Sequence, residues 1–379
     1  MVFKINSKDF LKALKDARAN MKIKRNDPVV DFQSYLLGVA GEELMVSTVS
    51  RGGNLLTVEV PIQVVNRDEA PQSKVFVSQR LYGVVKTMDS QDLTIDLTAD
   101  KMEIQHACGV VRFPTFTGSG IFVCGPLTFG YDRTIFLSKH EADELRLILA
   151  TLKPFMGDDD FRPVMKGICV KFSDEYTDYV ASDGHRLCRI RIPRNGFPDE
   201  ILIPDTVVSV IQKVLPKTGE VSIYYKRDDL TTQIEAGNIR YIFKRTEGPY
   251  PNYQKVIPDL GPCIVSLERQ KLVRSLNRIM ALDRNGASSL KMSINNDNIS
   301  LFSSYDDTTF EERVPIYDRV ATGEHYVFVS PYNLLKCVSN LQSDIIQLSL
   351  NSSRDPVVIH PYLPLKDGDT TVLLMPLIG

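Results

Sequence analysis

The chain has 379 residues, 43% hydrophobic and 24% charged, long enough for two to three domains with cores of their own and unlike a collagen-like or low-complexity chain. Its 45 Lys and Arg against 47 Asp and Glu leave a net charge of −2, so any polyanion must be met by a local patch and not by overall charge. The start, Met1 to Ser7, lacks the apolar core of a secretory signal, and no apolar run approaches the roughly 18 residues that span a bilayer, which argues against a membrane protein.

A strand at Phe3-Lys4-Ile5 leads into a helix predicted over Ser7 to Lys22. Next come the strand Val75-Phe76-Val77-Ser78, a helix over Leu81 to Met88 and the alternating strand Leu93 to Leu97. The same order returns with Ile135-Phe136-Leu137, a helix over Ser138 to Leu152, Ile201-Leu202-Ile203-Pro204, a helix over Val207 to Leu215 and the strand Val221 to Tyr224. It returns again with Ile264-Val265-Ser266, a helix over Leu267 to Met280, Val327-Phe328-Val329-Ser330, a helix over Leu334 to Leu341 and the strand Ile346 to Leu350. The tetrapeptides beginning at 75, 201 and 327 stand 126 residues apart both times, which marks an internal repeat. Serine lies at or near the start of each leading helix as an N-cap, and Ser138 with Glu141 reads as a capping box.

The fold class is therefore α+β: three repeated units, each with two helices and antiparallel sheets. Turn residues at Thr117 to Gly120, Gly125-Pro126 and Pro258 to Pro262 place the boundaries, giving domains at 1–127, 128–258 and 259–379. Six cysteines, Cys108, Cys124, Cys169, Cys188, Cys263 and Cys337, form no C-x-x-C pair, and the five His are isolated from one another. They read as buried thiols of a reduced, cytoplasmic compartment, with no metal site.

Positive charge gathers on particular helix faces. In the first helix Phe10, Leu14, Ala17 and Met21 share the core face, while Lys8, Lys12, Lys15 and Lys22 gather opposite, followed by Lys24 and Arg25 in the next loop. In the leading helix of the third unit Lys271, Arg274 and Arg278 lie opposite Leu272, Leu276 and Ile279. The second helices add Arg80, Lys86 and Lys213. A charged face is ordinarily a solvated face, but its repetition on equivalent helices points to sequence-independent contact with the phosphates of a polyanion.

The most distinctive segment is Tyr179-Val180-Ala181-Ser182-Asp183-Gly184-His185-Arg186-Leu187, a strand running into an Asp-Gly turn. One reading of it is a hydrolase in which Asp183 orients His185 as a general base, with Asp158, Asp159 or Asp160 as a third member. No nucleophile elbow, zinc motif or phosphate loop accompanies it. Together with Glu247-Gly248-Pro249-Tyr250-Pro251-Asn252-Tyr253-Gln254-Lys255-Val256-Ile257-Pro258 and Leu373-Leu374-Met375-Pro376-Leu377, the segment resembles the bacterial sliding clamps, the β subunits of DNA polymerase III, in the family's order and over the whole length.

That resemblance implies a non-enzymatic processivity factor without a cofactor. It implies a head-to-tail homodimer closing a ring around double-stranded DNA, with basic helices lining the hole. It also implies a pocket for the short peptide motifs of replicative polymerase, clamp loader and repair proteins. Carried over, Leu187, Pro251, Val256, Leu373 and Met375 form its deeper apolar part, and Met165, Ser182, His185, Arg186, Pro356 and Leu377 a shallower shelf. Gly184 shapes the floor, and Lys255 and Pro376 adjoin. Asp306, Asp307, Glu311 and Glu312 are assigned to the dimer joint, facing basic residues of the partner.

Overall fold

The computed structural model of the chain describes residues 1–21, 33–67, 74–117, 135–194, 198–226, 229–282, 289–305, 307–320, 325–362 and 368–377, with 135–138 by backbone alone. Lys22, Lys24, Arg25, Cys124 and Asp306 lie outside the described residues.

The first copy of the repeat comprises β1 (Val2–Asn6), α1 (Ser7–Ala17), β2 (Ser34–Ala40), β3 (Glu43–Val49), β4 (Leu55–Pro61), β5 (Gln63–Asn66), β6 (Val75–Ser78), α2 (Arg80–Lys86), β7 (Asp92–Leu97), β8 (Lys101–His106) and β9 (Gly109–Phe116). The second comprises β10 (Ile135–Glu141), α3 (Ala142–Leu152), β11 (Gly167–Phe172), β12 (Thr177–Ser182), β13 (Arg186–Ile192), β14 (Asp199–Pro204), α4 (Asp205–Val214), β15 (Glu220–Lys226), β16 (Thr231–Ala236) and β17 (Ile239–Lys244). The third comprises β18 (Cys263–Glu268), α5 (Arg269–Leu282), β19 (Leu290–Ile294), β20 (Asn298–Tyr305), β21 (Thr308–Val320), β22 (His325–Val329), α6 (Pro331–Ser339), β23 (Ile345–Leu350), β24 (Val357–Pro361) and β25 (Asp369–Leu374).

The copies share one pairing plan. The leading strand pairs antiparallel with the strand that follows the second helix, as β1–β7, β10–β15 and β18–β23. The tetrapeptide strand pairs with the strand that follows the first helix, as β2–β6, β11–β14 and β19–β22. The stretch ending each copy then returns to the second residue of the tetrapeptide: Phe116 pairs with Phe76, the Thr246 amide donates to the Leu202 carbonyl at 3.0 Å, and the Leu377 amide donates to the Phe328 carbonyl at 2.7 Å. Strands such as Asp92–Leu97 alternate strictly between buried and outward side chains, as a sheet with one packed face requires.

The helix starts differ from the expectation. The leading strands run on through Asn6, Glu141 and Glu268, so Ser138 and Glu141 are strand residues and form no capping box, and Ser266 is no N-cap. At α1 the cap is Asn6, whose side chain accepts from the Lys8 amide, not Ser7. The physical reason is a tertiary one. The first amide of each leading helix donates to a distant carbonyl: Ser7 to Gln91 at 2.9 Å, Ala142 to Gly219 at 2.8 Å and Arg269 to Asp344 at 2.8 Å. An amide satisfied by the neighbouring chain needs no side-chain cap.

Two compact units result, Met1–Arg146 with Ser209–Arg245, and Leu147–Val208 with Thr246–Gly379. One contains a 13-stranded sheet in the order β10-β15-β16-β17-β4-β3-β2-β6-β9-β8-β7-β1-β5, and the other a 12-stranded sheet in the order β14-β11-β12-β13-β25-β24-β23-β18-β21-β20-β19-β22. The second copy thus gives four strands to each sheet, joined through β17–β4 in one and β13–β25 in the other. Phe3, Phe10, Leu14 and Tyr35 are wholly buried in the first unit, and Cys188, Leu272, Leu276 and Cys337 in the second. Cys169 and Cys263 are likewise buried free thiols, but Cys108 corrects the expectation: it sits exposed at the turn between β8 and β9. Among the described residues no helix is long and apolar enough to cross a membrane.

Candidate functional site

The turn between β12 and β13 is built by Asp183. Its Oδ1 accepts from the amides of His185 at 2.9 Å and Arg186 at 2.7 Å, and its Oδ2 accepts from Arg186 Nε at 2.9 Å. Ser182 Oγ donates to the Arg186 carbonyl at 2.8 Å and accepts from the Gly184 amide at 3.1 Å. Gly184 takes φ 91°, a conformation that L side chains rarely adopt. The Arg186 side chain is only 9% exposed, pinned by Asp183 and lying 5.9 Å from the Phe155 ring centroid. Both oxygens of Asp183 are therefore engaged by the turn and by Arg186, and the bonds described for Asp183 lend the hydrolase reading of Asp183 and His185 no support. Two of its three candidate third members are engaged as well, Asp159 with Arg162 and Asp160 with Lys166.

Beside this turn lies a groove of about 200 Å³. It is lined by Met165, Ser182, Gly184, His185, Arg186, Leu187, Tyr250, Pro251, Asn252, Tyr253, Val256, Leu373 and Met375. Leu187, Leu373, Tyr250 and Tyr253 are buried with Cys169, Val180, Leu202 and Val358 in one apolar cluster, so the floor is continuous with the core of the unit. Val256 and Met375 are 51% and 42% exposed and stand at the mouth. The Met375 amide donates to the His185 carbonyl at 2.9 Å, which ties the chain end to the turn. Such a cleft, apolar below with a few fixed polar groups above, takes apolar side chains of a short chain segment.

Ten expected residues line the groove: Met165, Ser182, Gly184, His185, Arg186, Leu187, Pro251, Val256, Leu373 and Met375. Four do not. Lys255 is exposed on the short turn Tyr253–Val256, where Tyr253 and Val256 face the groove. Leu377 and the preceding Pro376 have moved past it, because the Leu377 amide is held by Phe328. Pro356 leads into β24 outside the lining. Conversely, Tyr250, Asn252 and Tyr253 were missed although they lie in the quoted segment; the signal was two tyrosines three apart in a Pro-broken stretch. Tyr253 is held by its hydroxyl, which donates to Asp178 at 2.7 Å, and the wholly buried Asp178 also accepts from Arg191 at 2.7 and 2.8 Å. Burial pushes both tyrosine hydroxyls up in pKa, so they remain neutral.

The cations form a second candidate surface. On α1 Lys8, Lys12 and Lys15 are exposed, with no carboxylate within ion-pair distance among the described residues, while Arg18 lies 4.7 Å over the Tyr82 ring of α2. Arg80, Lys86, Lys213 and Arg274 are exposed too. The leading helix of the third copy differs: Lys271 pairs with Glu268 at 3.0 Å, and Arg278 Nη2 donates to Glu312 at 2.6 Å. Hydrogen bonding from Arg278 holds the Glu312 carboxyl below its ordinary value. Glu312 is thus engaged within its own chain by Arg278 and by Ser275 Oγ. Among the described residues no cluster of three metal-ligating side chains occurs.

A family model described as the DNA polymerase III beta subunit, central domain, matches residues 140–252. A beta sliding clamp of Synechocystis sp. is 26% identical over 237 residues, 58% of this chain and 59% of that one, so the chain matches about three fifths of the length of the first curated relatives. The beta sliding clamp of Pseudomonas aeruginosa is 22% identical over 387 positions, covering all of both chains. The crystal structure of the DNA polymerase III subunit beta from Pseudomonas aeruginosa superposes with a TM-score of 0.86 at 17% identity over 100% of each chain, the same fold. With the central-domain model matching its middle and a relative aligned from end to end, the chain is similar over its whole length to bacterial DNA polymerase III β subunits.

Proposed function

We propose that the protein is a sliding clamp, a non-catalytic cytoplasmic factor of which two copies close a ring around duplex DNA and tether the replicative polymerase to it. The observation that carries this reading is the pattern of strand joints. The last strand of the second copy, β17, pairs with β4 of the first, and the last strand of the third, β25, pairs with β13 of the second. The last strand of the first copy, β9, and the fourth-strand equivalent of the third, β21, lack the matching joint. Among the described residues Gly109 to Pro114 pair with β8 alone, and Thr308 to Pro315 with β20 alone. Two open, complementary edges on one chain are met by a second copy laid head to tail, and two such joints close the assembly.

The register follows from the filled joint. Ile239, first in β17, stands opposite Val58, which itself faces Val46, the fourth residue of β3. The fourth residue of β20 is Leu301, which faces Glu312. Gly109, first in β9, therefore takes its place opposite the partner's Glu312, Val110 opposite the partner's Glu311 and Val111 opposite the partner's Phe310. The same reading keeps domain boundaries at 1–127, 128–258 and 259–379, assigns the basic helix faces to phosphates, and gives the groove to short peptides of polymerase, clamp loader and repair proteins.

The test is physical. The native protein sediments as a dimer, stays on closed circular DNA and slips from linear DNA. Val111→Asp, at a partly exposed position, yields a folded monomer that is retained on neither. A dimer unaffected by Val111→Asp refutes the joint.

A further inference from the structure

Phe161 is 95% exposed, the most open large apolar side chain among the described residues. The loop that carries it is already ordered. Gly157 N–H donates to the Met165 carbonyl at 2.9 Å, Phe161 N–H to Asp159 Oδ1 at 2.9 Å, and Met165 N–H to the Arg162 carbonyl at 2.9 Å. Docking onto it forfeits little conformational freedom. The loop also adjoins the groove: Met165 lines it, and Arg162 Nη1 lies 3.3 Å from where a Cβ on Gly184 would stand. Arg162, which follows Phe161 in sequence, thus reaches the groove's Gly184.

The geometry points to Phe161 as an auxiliary anchor for the protein that fills the groove, engaged by an apolar side chain flanked by Lys or Arg on the partner. This rests on the peptide reading of the groove. Charge selects the class of occupant. Asp158, Asp159 and Asp160 precede Phe161, and Asp158 has no ion-pair partner among the described residues. Arg162 and Lys166 offset Asp159 and Asp160, and the carboxylate of Asp158 leaves the loop with an excess of negative charge that repels a phosphate backbone and attracts a basic protein segment. A second copy of the chain is spoken for elsewhere, at β9 and β21.

The chain contains no Trp, so Phe161→Trp introduces a single fluorescent reporter at an open position. The experiment titrates the DNA polymerase III catalytic subunit of the same organism against the native full-length protein, Phe161→Ala and the groove variant Met375→Ala. Phe161→Ala weakens binding about tenfold, the lower end of what burial of one Phe side chain is worth. The emission of Phe161→Trp shifts to the blue when the polymerase subunit is added. Native affinity in Phe161→Ala with weakened binding in Met375→Ala overturns the anchor and leaves the groove standing; native affinity in both overturns the two together. A blue shift produced by duplex DNA alone assigns the loop to nucleic acid and also overturns the proposal.

Discussion

At the scale of single residues, the Asp-Gly turn carries two burdens, backbone closure and the fixing of Arg186. Replacing Asp183 by Asn keeps the volume but turns an amide group toward a guanidinium that is 9% exposed. Loss of one partner of a largely buried pair is worth about 2 kcal/mol here, discounted for the part of Asp183 that water reaches. Asp183→Asn should therefore lower unfolding free energy by that order in denaturant titration and weaken peptide binding with it, whereas a purely chemical role would leave stability untouched. This turn was the most legible part of the site, since Asp, Gly and Ser act on their own neighbours and local sequence is enough to place them. Tyr250 and Tyr253 were not legible. What makes Tyr253 a wall of the groove is a hydrogen bond to Asp178, 75 residues away, and nothing in the segment itself announces that partner.

At the scale of elements, periodicity recovered every helix and leading strand of the repeat but misplaced the strand-to-helix junctions. Serine near a helix start is a local cap signal, and it lost to carbonyls of the residues just before the strand that follows the second helix. Arg269 shows how far this cross-bracing goes. Sited at the first turn of α5, it is 9% exposed and sends Nε to the Ser343 carbonyl at 2.8 Å and Nη1 to the Ser339 carbonyl at 3.2 Å, so its cation sits against the C-terminal end of α6. There it meets both the unpaired carbonyls and the negative end of the helix dipole. The sequence pattern placed this arginine near a helix start, where a cation is unfavourable; the favourable partner is the other helix. Arg269→Ala is expected to destabilise the second unit by about 3 kcal/mol in chemical denaturation. Arg269→Lys, with the charge but without the fork, should recover only part of it. A loss under about 0.5 kcal/mol would mean that the bracing is idle.

At the scale of the whole molecule, the repeat was visible because strand and helix periods survive when identity between copies does not, and the open joint of β9 and β21 became visible only once two filled ones could be compared with it. Charge is distributed unevenly over equivalent helices. Lys8, Lys12 and Lys15 of α1 form no ion pair among the described residues, although Asp16 stands near Lys12 and Lys15, whereas Lys271 and Arg278 of α5 are paired with Glu268 and Glu312. A phosphate approaching α5 must displace an acid already in place, so on the clamp reading proposed above α1 and α2 carry most of the phosphate contact. Each lysine that touches a phosphate contributes about 0.9 to the slope of log affinity against log salt. The triple variant Lys8→Ala, Lys12→Ala, Lys15→Ala should flatten that slope on linear duplex by up to about 5 units for a dimer, while the double variant Lys271→Ala, Arg278→Ala flattens it far less. Retention of the triple variant on closed circles should stay at the native level, because a closed ring is held by topology and the lysines govern only how it rides along the duplex. Equal slopes for the two variants would show that the acids of α5 yield freely to DNA, and loss from circles would show that charge, not closure, holds the protein in place.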